Sequence, residues 1–513
     1  MASDADLAGE GNRGGPESRL ESFEEVIEEI EELPSRRWWA LAVIALAQLM
    51  VVLDGTVVTI ALPSAQRALH ISNADRQWAI TAYTLAFGGL LLLGGRIADY
   101  LGRKRIFLVG LLGFAAASAL GGAAQNGATL FGARAIQGLF AALLAPAALS
   151  LITVTFTEVK ERSRAFAVYG AISGGGAAIG LILGGTLTEY ASWRWCLLIN
   201  VPIAIVAFIA GTILVTESKS ERGSSYDIPG AILGTAGLVT LVYGFTEAAK
   251  IDVGWLSVEA ISYLVGAAIL LVAFVLVELR SASPLLPMRV ILDRNRGGTY
   301  LASLLVFAGL FAMFLFLSYY FQYNRGYSAL KSGIAFLPFS GGIIVTSGLV
   351  SGLLPRTGPK PLMLLGLAMG TICLFTFTFI SDTSSWVTSV LPGELLMSIG
   401  LALVFVPLSS LALTGVSSND AGVASAVLNS SQQIGGSLGT ALLNTFYASA
   451  VSSYVVAHHL SPSNFNPLAA IHGYHVAFWI GVGLIAAAFV AILVLVNARK
   501  DDVSTQPGVP AGA

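Results

Sequence analysis

The sequence predicts an all-α membrane protein with fourteen transmembrane spans, and three observations predict it. Of its 513 residues, 55% are hydrophobic and 11% charged, and the mean hydropathy is +0.77. A soluble domain carries about 25% charged residues, so too few polar groups are present to cover a globular surface. Apolar runs of the roughly 17–25 residues needed to cross a bilayer recur along nearly the whole chain. These runs are continuous, unlike barrel strands, which alternate over about ten residues. Composition excludes other classes as well. The net charge is −2, and no basic tract points to nucleic acid. Cys196 and Cys373 lie inside apolar runs, which argues against a disulfide framework. Residues 1–37 are polar and acidic and do not read as a cleavable signal peptide.

The spans are expected at 39–61, 77–97, 106–125, 128–150, 165–188, 196–215, 228–247, 256–278, 299–321, 332–354, 361–380, 386–408, 422–446 and 473–497. Before them, LESFEEVIEEIEEL (20–33) sets Leu20, Phe23, Ile27, Ile30 and Leu33 on one helical face and glutamates on the other. Such a pattern suits a solvated charge run or a short helix docking on basic loops. The first span contains VVLDGTVVTIALP (51–63). The second and third are joined by GGRIADYLGRKR (94–105), where Asp99 and four cations interrupt two greasy segments. Span four carries LFGARAIQG (130–138), and span five GAISGGGAAIGLILGGTLT (170–188). SWRWCLLINVP (192–202) opens span six. Span nine contributes Phe311, Phe314, Tyr319 and Tyr320, followed by QYNRGYSALKSGIAFLP (322–338). Glu394 lies inside span twelve, and QQIGGSLG (432–439) inside span thirteen. His458, His459, His472 and His475 are expected in or beside the last loop, as exposed side chains. Glu189, Glu247, Glu278 and Asp420 fall at span ends and read as interface charges.

Basic residues concentrate in the loops on the N-terminal side, which places both termini in the cytoplasm. Arg103, Lys104 and Arg105 are part of that bias, but Asp99 does nothing for it. An internal repeat accompanies the spans: GRKRIFLVG (102–110) is echoed by GPKPLMLLG (358–366), and AAIGLILGGTLT (177–188) by QQIGGSLGTALL (432–443). Spans one to six thereby match spans nine to fourteen in the same orientation. The expected organisation is an acidic segment (1–37), a six-helix bundle (38–215), an inserted helix pair with linkers (216–298), a second bundle (299–497) and a tail (498–513). Parallel repeats of this kind bind substrate between the halves, near the midplane.

Charges inside a membrane are costly and face a cavity or a partner. Three lie well inside the spans: Asp54, Arg134 and Glu394. With a rise of ~1.5 Å per residue, Asp54 sits roughly 23 Å from the inner edge of a core about 30 Å thick, and Arg134 roughly 9 Å from the outer edge. The two thus share a level. Asp54 is read as the carboxylate that gains and loses a proton, with Arg134 as its permanent cation, or else the two form a static ion pair fixing helix packing. Glu394, at a similar depth, is read as a second proton site, a contact for cationic substrates, or a carboxyl that stays protonated. Asn429, Gln432 and Gln433 share one helical face. With Gln48, Gln137, Gln322, Phe311 and Phe314 they suit a large apolar cavity with few polar anchors.

The chain resembles the major facilitator superfamily, and within it the fourteen-span drug:proton antiporter branch. GRIADYLGRKR, LFGARAIQG, LDGTVVTIALP, SWRWCLLINVP, QYNRGYSALKSGIAFLP and QQIGGSLG carry that resemblance, in order, over roughly residues 38–497. The resemblance implies the major facilitator fold, two six-helix bundles plus two inserted helices. It also implies that Gly95, Asp99, Gly102 and Arg103 form a latch, Asp99 pairing with the arginine and facing a helix end of the opposite half. The antiporter glycine motif of the family corresponds to Gly180, Gly184 and Gly185, with Leu181 where a proline is usual. Small residues there are expected to pack against Gly435 and Gly439 of span thirteen. The implied function is efflux of lipophilic or amphipathic drugs across a bacterial plasma membrane, driven by protons. Alternatives are export of a lipid or endogenous metabolite without strict antiport, and a transporter-like sensor. The expected partners are a lipophilic small molecule, protons and the bilayer, with the chain a monomer. No enzyme motif, cofactor site or metal cluster is read.

Overall fold

The computed structural model describes residues 16–219, 227–250, 254–281, 284–286, 288–416, 421–460, 465–498 and 500, with side chains from residue 36 onward except at 159, 160, 163, 167, 171, 173, 174, 421 and 422. The side chains of the acidic 20–33 segment and the 501–513 part of the tail lie outside this set, as does Asp420.

All the regular structure among the described residues is helical. The first bundle comprises α1 (Pro16–Ala68), α2 (Trp78–Leu101), α3 (Arg103–Gly122), α4 (Gly127–Thr155), α5 (Val159–Tyr190), α6 (Trp195–Leu198) and α7 (Asn200–Leu214). Two helices follow, α8 (Ile228–Ala248) and α9 (Val258–Arg280), then the short α10 (Met288–Ile291). The second bundle runs through α11 (Arg294–Tyr319) and a π turn (Tyr320–Asn324), α12 (Ala329–Ala335), α13 (Leu337–Thr357) and α14 (Pro359–Phe377). It continues with a second π turn (Trp386–Val390), α15 (Leu391–Leu413), α16 (Ala421–Ala457) and α17 (Pro467–Leu495). Polar residues start the helices where the sequence leaves the membrane. Asn126, Ser257, Asp293 and Asn466 each accept a backbone N–H of the first turn, which satisfies donors that the helix itself cannot.

Thirteen helices or helix pairs are long and apolar enough to cross a bilayer, among the described residues. The helix at the remaining expected position, α16, is 37 residues long but is not among them. Asn429, Ser430, Ser431, Gln432 and Gln433 dilute it where it packs on α2, α11 and α17. Most helices overrun their expected ends; the first apolar segment extends from Arg36 to Ala68, because it continues past Pro63 into the loop.

The repeat is visible in how each bundle is tied at one face. Gly102 joins α2 to α3 at φ 115°, and its counterpart Gly358 joins α13 to α14 at φ 78°. Both conformations favour a residue without Cβ. Lys104 donates to the carbonyl of Thr212 at the end of α7, and Lys360 to that of Leu493 at the end of α17. Arg36 donates to Ile213, and Arg294 to Val494. In each bundle a lysine and an arginine thereby cap the last carbonyls of the sixth helix, where cations are favoured. We call this the basic face, and the opposite one the far face.

Three expectations are corrected here. Gly180 and Gly184 do not pack on Gly435 and Gly439. A Cβ at Gly180 would meet Thr56, and one at Gly184 the Val57 backbone, both on α1, while Gly435 and Gly439 admit Leu304 and Ala308 of α11. The glycines are used within each bundle, in the equivalent pairs α1–α5 and α11–α16. Gly185 alone reaches across, to Leu330 of α12. Glu278 is buried rather than interfacial and accepts the Leu286 N–H at 2.9 Å. His475 is not an exposed loop residue: α17 starts early, and its Nε2 sits 2.6 Å from the Ile380 carbonyl.

Between described residues, the hydrogen bonds that link the two bundles lie in the far half of the molecule. Ser318 donates to Thr59, Tyr319 to Gln66, Gln322 to Ile60 and Tyr323 to Pro63, while the Leu330 N–H donates to Glu189. The inserted pair packs on itself, and α8 lies against both α2 and α16.

Candidate functional site

Asp54 and Arg134 are in direct contact. Helix α1 carries Asp54 into the interior of its bundle, where it is 0% exposed, and α4 carries Arg134 to 1%. Arg134 Nη1 donates to Asp54 Oδ2 at 2.5 Å. The other carboxylate oxygen accepts from Gln137 Nε2 at 3.0 Å and Asn200 Nδ2 at 2.9 Å. Gln137 also donates to Ser118 Oγ and accepts from Arg134. Arg134 Nε donates to the Ala79 carbonyl, and the guanidinium lies 4.4 Å from the centre of the Tyr83 ring. Five helices, α1, α2, α3, α4 and α7, meet in this cluster.

All three partners of Asp54 donate, so this is the geometry of an ionised carboxylate. An acid carries a proton that must itself find an acceptor. Two buried oxygens beside the cluster have no partner, Asn200 Oδ1 and the Tyr83 hydroxyl. A turn of the Asn200 amide would present its oxygen to a protonated Asp54. One side-chain rotation would therefore give a protonated Asp54 an acceptor, while Arg134 would lose its counter-ion.

Other expected residues fall elsewhere. Gln137 does not line a substrate cavity: it is fully buried in the ionic cluster, because it lies one turn from Arg134 on α4. Glu394 stands apart in the second bundle, near Cys373 and Trp386, 0% exposed and with no hydrogen-bond partner on either oxygen. Gln322 is drawn into the far-face seam. Phe314 packs on Phe336 and Phe339, and Phe311 lies against Phe307 and Gly436. Gln48 accepts from the Tyr169 hydroxyl, and Asn429 donates to the Ser425 carbonyl one turn back. Gln432 and Gln433 are half-buried, and Gln433 backs onto Gly88 of α2.

At the basic face Arg103, which opens α3, donates to Asp99 of α2 at 2.9 Å across the Gly102 turn. Gly95 rests against the ring of Pro146 on α4. No hydrogen bond or ion pair between described residues carries Asp99 to the second bundle. Sequence reasoning missed Glu217, which follows α7. Its carboxylate accepts the Lys104 and Arg105 N–H groups that open α3, an anion at a helix start, and fills the space where a Cβ of Gly102 would stand, 2.8 Å away. It also missed Asn200, although that residue was in view as the polar member of LLINVP.

Two repeat-related helical bundles joined at one face, the first enclosing a buried ionic cluster, define a membrane transporter rather than an enzyme. The chain belongs to the Major Facilitator Superfamily, whose sequence model matches residues 44–440. It is 50% identical over 470 residues to the puromycin resistance protein of Streptomyces alboniger, covering 91% of this chain and 92% of that one. It is 39% identical to the cephamycin export protein of Amycolatopsis lactamdurans, covering 80% and 85%. Among solved structures it is similar to a bacterial homologue of the lysosomal transporter Spinster, with a TM-score of 0.63 at 16% identity, covering 93% and 99%. That likeness shows the fold.

Proposed function

We propose that the protein exports lipophilic or amphipathic antibiotics across a bacterial plasma membrane by alternating access, driven by the proton-motive force, with both termini cytoplasmic. The observation that carries this reading is the Asp54 cluster: an ionised carboxylate sealed among five helices, with one fixed cation and two amide donors, of which Asn200 is free to turn. A purely structural pair has no use for an adjoining amide, Asn200, whose oxygen is unpartnered. Resistance and export proteins for puromycin and cephamycin among the relatives support the cargo class.

In this reading the far face is outside and the bundles are closed there, so the arrangement is inward-open. Asp54 is the proton carrier, Arg134 its countercharge, and Gln137 and Asn200 position the carboxylate. Glu394 is a second acidic site in the other bundle. Gly95, Asp99, Gly102 and Arg103 wait as the latch that meets the second bundle when the molecule opens outward. Cargo is met along Gln48, Phe311, Phe314, Asn429, Gln432 and Gln433. One proton crossing 100 mV yields about 2.3 kcal/mol, which suffices to concentrate a neutral cargo roughly fiftyfold.

The test is puromycin-induced proton release from sealed vesicles. Asp54→Asn should abolish the release while puromycin still binds. Unchanged release in that variant ends the proposal.

A further inference from the structure

The far-face seam is built around a cation that the coupling site does not use. Arg76, in the turn between α1 and α2, is 1% exposed. Its Nε donates to Asn444 Oδ1 of α16 at 3.0 Å. Its guanidinium is sandwiched between Tyr319 of α11 and Tyr447 of α16, 4.0 and 4.6 Å from their ring centres. Asn444 in turn donates back to the Asn73 carbonyl beside Arg76. Tyr319 donates to Gln66, which donates to Asn73. One side chain of the first bundle is thus held by three of the second.

No carboxylate shares the box. Among the described residues Arg76 makes no ion pair, and its neighbour Asp75 is engaged by Ser72. Arg76 Nη2 has no partner, nor has the hydroxyl of Tyr474. Asn444 and two π faces return only part of what burying an ion without a counter-ion costs. Opening the seam would hydrate the guanidinium and recover that cost.

We propose that Arg76 is the positioning residue of the far-face gate: an unpaired cation whose burial keeps closure weak enough to be reversed on every cycle. The two opposed contributions reside in separable groups. The charge on Arg76 favours opening, and Asn444, with the tyrosines, favours closing. Removing the charge while keeping bulk should tighten the gate, since the cost of burying an unpaired ion exceeds that of the one amide oxygen of Asn444 left without a donor. Removing Asn444 leaves the charge with less and should loosen it.

The experiment reads gate opening as the reaction rate of a buried thiol. Thr440 is buried one turn before Asn444 on α16, and Cys196 and Cys373 are themselves buried. In the full chain carrying Thr440→Cys in sealed vesicles, a membrane-impermeant thiol reagent is applied at the far face. Arg76→Met should slow the reaction roughly tenfold, and Asn444→Ala should speed it by a similar factor, the size set by one hydrogen bond to a charged group. Arg280→Gln, removing an exposed cation at the end of α9 away from the seam, should leave the rate unchanged. A merely structural Arg76 predicts acceleration in both variants, so two shifts of the same sign, or no shift, overturn the proposal. Failure of Arg76→Met to fold overturns it too, because the neutral gate must be at least as stable. The inference rests on the rocking motion proposed above but not on protons or cargo. A thiol unreactive in every variant refutes the rocking, and this proposal with it, whereas same-sign shifts refute the role of Arg76 alone.

Discussion

Replacing Asp54 by Asn, Arg134 by Gln, and both together separates the charge of the buried pair from its shape. Asp54→Asn leaves Arg134 with the Ala79 carbonyl, Gln137 Oε1 and the Tyr83 ring, but points a new amide N–H at Nη1. Arg134→Gln leaves the Asp54 carboxylate with two amide donors. Removing one partner of a buried pair costs about 3–5 kcal/mol, because the other charge stays behind. Asp54→Asn should fall at the lower end of that range, since Arg134 keeps three compensating contacts. The double variant holds no charge at all and should lose only the hydrogen-bond contribution, about 1–3 kcal/mol. It should therefore be more stable than either single variant. Cys196 and Cys373 are free and buried, so their reaction with a thiol dye during heating in micelles reports unfolding without added labels. A double variant whose loss equals the sum of the singles would show that no charge coupling exists, and would refute the cluster as an electrostatic unit.

Gly102→Ala should cost about 1–2 kcal/mol in the same assay, since an L-residue is strained at that φ and the added Cβ meets the Glu217 carboxylate. Full stability would show that the turn is not held as described. Glu217→Ala should cost about 1 kcal/mol through loss of its bonds to the α3 start; an unchanged melting profile counts against that cap. Gly439→Leu should prevent folding or separate α11 from α16, because Ala308 occupies the space, which membrane yield and unfolding both report. Glu394→Met should leave stability equal or higher, since neither oxygen has a partner and the volume is kept. It should lower export of cationic dyes relative to neutral drugs; equal loss for both classes removes Glu394 from cargo handling.

The fold was legible in the sequence wherever the deciding interaction was hydrophobic or local. Each expected span falls on a helix at the position set by apolar length and flanking charge, although several helices, α1, α16 and α17 among them, run past the expected ends. The Asp54–Arg134 contact was legible too, since two lone charges at one depth have few other partners. What failed was assignment by class. Gln137 and Gln322 looked like cavity residues because both are uncharged and polar, yet one is in the ionic cluster and the other in the far-face seam. Nothing in their own segments distinguishes those fates. The glycines misled for a related reason: small-residue spacing announces a close helix neighbour but does not say which. Asn200, Glu217 and Arg76 acquire their roles only from helices distant in sequence.

The repeat shows why these roles are unequal. Both bundles share the glycine turn and the lysine and arginine caps of the sixth helix, with Gly102, Lys104 and Arg36 matched by Gly358, Lys360 and Arg294. By contrast, the match of Arg36 with Arg294 sets Ala312 opposite Asp54, and the match of GLF (138–140) with GLA (400–402) sets Leu396 and Ile399 opposite Arg134 and Gln137, all apolar. A rocking machine needs the shared part twice, once for each rigid body. On the proposed coupling role the ionic cluster is needed once, because a carboxylate matched in both halves would feel the same change on either side of the pivot. The second bundle's acid, Glu394, lies two residues before the repeat position of Arg134 and lacks a cation, so it was not built as a copy of the first site. If the ionic cluster merely fixed helix packing, transplanting it to Ala312, Leu396 and Ile399 should be as well tolerated as the original. If it couples, a folded chain with two clusters should lose directionality, exchanging substrate across vesicle membranes without net export.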